Sequence, residues 1–144
     1  MRFMILVKAD QNSEAGVLPD VKLLTEMGKY NEQLMKAGVL LGGEGLHPSS
    51  KGVRVRLSGD QRTVLDGPFA EAKELIAGFW LIQVKSKQEA IDWVKRIPNP
   101  MPGTESEIEI RQVFEADDFG PALTPELREQ EEQLRSSADR LRKR

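Results

Sequence analysis

Cysteine is absent from the 144 residues, and histidine occurs once, as His47. The first absence rules out disulfides, thiolate metal sites and cysteine nucleophiles. The second leaves no basis for a multi-histidine metal centre within one chain, so neither a metal nor a cofactor is expected. Aromatic residues are few, at 6%, and no hydrophobic run is long enough to span a bilayer. The opening Met1-Arg2-Phe3-Met4-Ile5-Leu6-Val7-Lys8 turns polar too soon for a signal peptide. Basic charge is not in surplus either: 21 Lys and Arg stand against 23 Asp and Glu, a formal net charge of -2. That balance argues against a general nucleic-acid binder, which needs cations to neutralise phosphates. What remains is an ordinary soluble composition, 39% hydrophobic and 31% charged, at the length of one domain. The expectation is a cytoplasmic globular protein with no membrane or nucleic-acid partner.

The hydrophobic pattern predicts strand, helix, strand, hairpin, strand, helix, strand. Residues 3–7 form a short apolar run suited to a buried strand, and residues 10–19 read as a loop rich in Asn, Ser, Gly and Pro. From Asp20, a plausible N-cap, a helix is expected to run to a glycine stop at Gly38. Its apolar face is assigned to Val21, Leu24, Met27, Leu34 and Met35. A strand starting at Val39 is interrupted by Gly42, Gly43 and Gly45 around Glu44, which suggests a bulge or the close approach of a backbone or ligand. Val53, Val55 and Leu57 alternate with Arg54 and Arg56 as a half-buried strand, returning over residues 62–65. Residues 79–84 form the next strand. Ser86 and Glu89 make a capping box for a helix stopped by Pro98 and Pro100. Residues 107–114 supply the last strand. Beyond residue 116 the composition shifts, and Thr124-Pro125 opens a charged C-terminal helix toward Arg144 with leucines at 127, 134 and 141. Such a thin stripe holds a helix only by docking it.

Two segments carry a family likeness: Ala37-Gly38-Val39-Leu40-Leu41-Gly42-Gly43-Glu44-Gly45-Leu46, and Asp66-Gly67-Pro68-Phe69-Ala70-Glu71-Ala72-Lys73-Glu74. On these the chain resembles the YCII-related family, in its "DGPF" type, over residues 1–116, with residues 117–144 as a helical extension outside it. The resemblance implies a ferredoxin-like α+β fold whose sheets pair in a homodimer as an α+β barrel. The middle hairpin would then be an insertion and the C-terminal helix an extra element. It also implies a choice of functions. One is a small-molecule-binding dimer, with metal-free acid/base catalysis at a cleft near residues 66–69 as its enzymatic form. The other is a non-catalytic regulatory or interaction protein, linked to an extracytoplasmic-function sigma factor and touching its protein partner through the C-terminal helix. Some smaller relatives have a proposed histidine–aspartate pair with the histidine in the first helix. Here that helix carries Tyr30 and Asn31 instead, a phenol and an amide that do not readily accept a proton near neutral pH.

The candidate site follows from the second segment. Asp66 either caps a turn by accepting backbone amides or serves as a base, or as the orienter of one. His47 is idle at a strand end or acts as the acid. Glu71, Lys73 and Glu74 form a solvated loop or a binding cluster beside Asp66, with Lys73 or Arg54 anchoring a charged substrate group. Glu71 and Glu74 equally suit ion pairs with Arg54 and Arg56. Glu44 cooperates with His47 only if the glycines bulge the strand. Trp80 and Trp93 are assigned to the core or a dimer interface. The glycine run lacks the ending of a phosphate loop and does not open a helix, and no serine has nucleophile-elbow flanks.

Overall fold

The computed structural model describes residues 1–143; Arg144, toward which the C-terminal helix was expected to run, lies outside the described residues. The chain divides into two compact units, Met1–Gln112 and Val113–Arg144.

The first unit is a mixed α+β fold. Strands β1 (Arg2–Lys8), β2 (Leu40–Gly45), β5 (Ile76–Gln83) and β6 (Ile108–Gln112) form one sheet in the order β2-β5-β1-β6. Every neighbouring pair is antiparallel. Helix α2 (Val21–Lys36) connects β1 to β2, and α3 (Lys87–Val94) connects β5 to β6. This is the β-α-β-β-α-β order of the ferredoxin-like fold, with β3 (Val53–Ser58) and β4 (Gln61–Asp66) inserted as a separate hairpin.

Alternation along β1 sends Phe3, Ile5 and Val7 to one face of the sheet, where they are buried. Both α2 and α3 cover that face, and Tyr30, Leu34, Ile82 and Ala90 complete the core. Phe3, Ile5, Leu34 and Ile82 are almost fully buried, each worth roughly 1.5–3 kcal/mol of transfer free energy. Met4 and Leu6 on β1 point to the opposite face with their partners Leu81 and Phe79, and are half-buried.

Local signals place α2 where expected. The Asp20 carboxylate accepts from Leu23 N at 2.8 Å, and Gly38 ends the helix at φ +74°. Its buried stripe agrees in part: Leu34 is buried and Met27 half-buried as expected, but Leu23 and Tyr30 complete the core-facing side, while Val21, Leu24 and Met35 are 81%, 58% and 60% exposed. Apolar residues lie on both sides of the helix, so the sheet decides which side is covered. Residues 10–19 are not wholly loop, for α1 (Gln11–Glu14) forms within them. Asp10 accepts from Ser13 N at 2.8 Å and Ser13 Oγ accepts from Asp10 N at 2.9 Å, a reciprocal cap short enough to close one turn. At α3, Ser86 accepts from Glu89 N as expected, but the Glu89 carboxylate accepts from Lys85 N, one residue earlier.

The hairpin also departs from expectation. Val53, Val55 and Leu57 are 58%, 52% and 67% exposed rather than half-buried. The two strands pair only with each other, so no second layer covers their apolar face. In the second unit, Thr124 Oγ1 caps α4 (Pro125–Arg142) by accepting from Leu127 N at 3.3 Å. Leu127, Leu134 and Leu141 are 48%, 64% and 63% exposed.

Candidate functional site

A cleft of about 730 Å³ opens between α2, the segment after β1 and the β2 edge of the sheet. Its floor is made by what is missing. In the register, Gly43 lies opposite Trp80 and Gly45 opposite Gly78. Trp80 and Gly78 share the helix-covered face with Ile82, so the floor at this end of the sheet carries three glycines. Each has a separate reason. A Cβ at Gly43 would lie 2.9 Å from Trp80 Cδ1, and one at Gly78 would lie 3.0 Å from the Glu44 carbonyl oxygen. A Cβ at Gly45 would meet nothing within 4 Å; it would project into open space. Side chains that normally fill the gap between helix and sheet are absent here, and a cavity remains.

Leu23, Met27 and Asn31 of α2 form one wall. Trp80 is held in place by an indole N–H donated to Asn31 Oδ1 at 2.8 Å and by an edge-on contact with Tyr30 at 5.7 Å. Tyr30 does not reach out as a catalytic phenol: its hydroxyl donates to the Trp93 carbonyl at 2.7 Å. Burial pushes its pKa up to about 12 against the opposing effect of Arg96, so the phenol keeps its proton across the physiological range. His47 and Pro48 continue from β2 onto the rim, anchored by Leu46 N donating to the Ala77 carbonyl at 2.8 Å.

The residues singled out in the sequence are divided among three places. Glu44 and His47 line the cleft, Glu44 on the strand position alternate to Gly43 and Gly45. Glu71 and Lys73 border a second depression together with Asp10 and Thr104. Glu71 there has φ 62°, a left-handed conformation costly for a side chain with a Cβ, and Glu74 is exposed beside it. Arg54 lies over the Phe69 ring at 3.9 Å; no ion pair joins it or Arg56 to Glu71 or Glu74 among the described residues. Asp66 ends β4 and is exposed, and its carboxylate accepts no hydrogen bond among the described residues. It does not line the cleft.

The corner after Asp66 is nevertheless tied to the cleft. Phe69 N donates to Ser49 Oγ at 3.0 Å, and Gly67 N donates to the Gly52 carbonyl at 2.9 Å. Ser49 in turn donates its amide to the Glu14 carboxylate at 2.9 Å and its hydroxyl to the other oxygen of the same group. Glu14 ends α1, whose Asn12 and Ser13 line the cleft. A strap thus runs from the corner through residues 48–52 to the cleft's outer wall.

The register of β2 shifts between Leu40 and Gly42, so the irregularity expected of the glycine run is present at its start, and Gly43 provides the close approach expected there. What the sequence reading did not contain is that Trp80 is wall as well as core, and that glycines 43 and 45 form a floor. No lysine or arginine lines the cavity, whereas the carboxylates of Asp10 and Asp20 are engaged as helix caps. Among the described residues no cluster of three His, Asp or Glu side chains suits a metal, and no helix is long and apolar enough to cross a membrane.

The model of the YCII-related domain matches residues 1–116. An uncharacterised protein of Rhizobium meliloti is 33% identical over 87 residues, spanning 60% of this chain and 70% of that protein. Among solved structures, the chain is similar to a 5-chloro-2-hydroxyhydroquinone dehydrochlorinase of Burkholderia phenoliruptrix in complex with 2,5-dihydroxybenzoquinone. That likeness has a TM-score of 0.44 and 16% identity, over 82% of this chain and 99% of that one.

Proposed function

The chain belongs to the YCII-related domain family, and from that premise we propose that it is a cytoplasmic, homodimeric small-molecule-binding protein whose ligand site is the glycine-floored cleft. One observation carries the reading: a cavity of about 730 Å³, walled by apolar side chains, with few polar groups beside Trp80. Cavities of roughly 300–1,000 Å³ with that lining are the usual form of a small-molecule site. An aromatic face at the wall suits a flat, largely apolar ligand. Metal-free acid/base chemistry in this cleft would run through His47 on the rim, whose imidazole nitrogens can donate and accept a proton. Asp66, Lys73, Glu71, Glu74 and Arg54 then act outside the binding step.

The test is a thermal-shift panel of neutral mono- and bicyclic aromatic compounds on the full chain. A ligand present at 100 times its Kd stabilises the native state by about 2.7 kcal/mol, which for a chain of this length raises Tm by roughly 5–10 °C. A panel that leaves Tm unmoved at millimolar concentration overturns the proposal.

The homodimer is supported by the second face of the sheet. Met4, Leu6, Phe79 and Leu81 form an apolar patch there, opposite the face covered by α2 and α3. Pairing two such sheets would create the α+β barrel. Sedimentation equilibrium should return twice the 16.2 kDa chain mass. Leu81→Arg, which puts a charge into that contact, should return one chain mass. A wild-type monomer at micromolar concentration would reject the barrel.

A further inference from the structure

We infer that Asn31 is the direction-setting hydrogen-bond donor of the cleft, and that the ligand is an aromatic ring bearing a neutral oxygen acceptor such as a carbonyl. The inference rests on the cleft being a ligand site. Its starting point is the contact between Trp80 Nε1 and Asn31 Oδ1 at 2.8 Å. An indole N–H only donates, so the atom facing it has to be the amide oxygen. The orientation of this amide, commonly a matter of choice, is therefore determined by its neighbour. Its nitrogen, with two donors, has no partner among the described residues, and Asn31 lines the cleft.

The donor is also held still. Trp80 meets Tyr30 edge-on at 5.7 Å, and the Tyr30 hydroxyl is fixed on the Trp93 carbonyl at 2.7 Å. Behind the indole, Gly43 leaves clearance that any Cβ would remove. The amide of Asn12, which also borders the cavity, is exposed like Asn31 but has no such fixing. Asn31 is open to water in the free protein. A ligand that covers it without an acceptor therefore strips that water and leaves the fixed donor unpaired, whereas one with an acceptor replaces it.

The sign of the ligand follows from the lining. No lysine or arginine is present, and the one lining side chain able to carry positive charge is His47 on the rim. An ionised carboxylate set beside Asn31 would therefore shed its hydration with no permanent cation to replace it. A neutral carbonyl asks only for the amide. The anionic substrate expected from Lys73 and Arg54 is disfavoured, since neither residue borders this cavity.

Three indoles of similar size separate the possibilities: 3-methylindole, indole-3-carboxaldehyde and indole-3-carboxylate, titrated by calorimetry. The aldehyde should bind the wild type about tenfold tighter than 3-methylindole, which corresponds to 1.4 kcal/mol. The carboxylate should bind weakest. In Asn31→Asp an acceptor still faces Trp80, so the ligand-free Trp emission should stay as in wild type, but the donor is gone. Aldehyde affinity should fall at least tenfold and 3-methylindole should be little changed; Asn31→Ala should show the same loss with altered Trp emission. If the aldehyde binds Asn31→Asp or Asn31→Ala as it binds wild type, or if the carboxylate binds wild type best, the donor assignment is wrong while the cleft stands. If no indole binds at all, the cleft reading itself fails and takes this inference with it.

Discussion

Replacing Gly67 by alanine should destabilise the protein by about 3 kcal/mol or more, the largest stability effect expected of any single residue in the 66–74 corner. A Cβ built on Gly67 would sit 1.7 Å from the Ser49 carbonyl oxygen and 2.7 Å from its carbon. Both are backbone atoms, so no side chain can swing aside. The corner and the 49–52 turn must part, and with them go the bonds from Gly67 N to Gly52 and from Phe69 N to Ser49 Oγ. Overpacking of this kind costs about 1–3 kcal/mol or more, and each lost hydrogen bond adds about 1. Urea unfolding measures it: with an m-value of about 2 kcal/mol/M, the midpoint should fall by roughly 1.5 M. Asp66→Ala is the matched control. Its carboxylate is exposed and accepts no hydrogen bond among the described residues, so it should change stability by no more than about 0.5 kcal/mol. If Gly67→Ala unfolds with the wild-type midpoint, the corner is not the structural strap described above.

The second large effect is on binding and leaves stability intact. Gly45→Val places a branched side chain on the cleft floor, where nothing lies within 4 Å of its Cβ. Valine is at home in a strand, and Gly45 has no positive φ to forbid it. Tm should hold or rise, while affinity for any aromatic ligand of the wild-type cleft falls at least tenfold. Gly43→Val tests the neighbouring position with the opposite outcome. Its Cβ would lie 2.9 Å from Trp80 Cδ1 and 3.1 Å from the Phe79 carbonyl oxygen, so it should lower Tm as well as binding. Unchanged affinity in Gly45→Val would place the ligand elsewhere.

These two glycines show what could be read from the sequence and what could not. Elements governed by neighbouring residues were legible: the Asp20 cap, the Gly38 stop and the period-two hairpin all depend on contacts within a few positions. The buried phase of α2 was legible only in part: Leu34 was placed on it, but Val21, Leu24 and Met35 are as apolar as Leu23, and only the sheet chooses between them. The exposure of the hairpin was not legible either, since alternation reports a face without saying whether anything covers it. The family was visible in residues 66–74, and their density of charge drew the expected site toward Asp66 and Lys73. In space the Gly67 corner packs on Ser49 and leaves those side chains outside the cavity. The floor could not be foreseen from composition. It needs the register that brings Gly78, far along the chain, beside Gly45.

A floor of bare backbone has a thermodynamic consequence for whatever lies on it. Where side chains line a pocket, a guest must freeze some of their rotamers, at about 0.5–1.5 kcal/mol for each long one. Glycines in a hydrogen-bonded strand have none to freeze, and their φ and ψ are already fixed by the pairing of β2 with β5. The cleft therefore meets its guest on one side with an unyielding surface whose outline does not adapt. Shape, more than adjustment, would sort one ligand from another, and a lineage could resize that shape one methyl group at a time by growing a side chain at position 45.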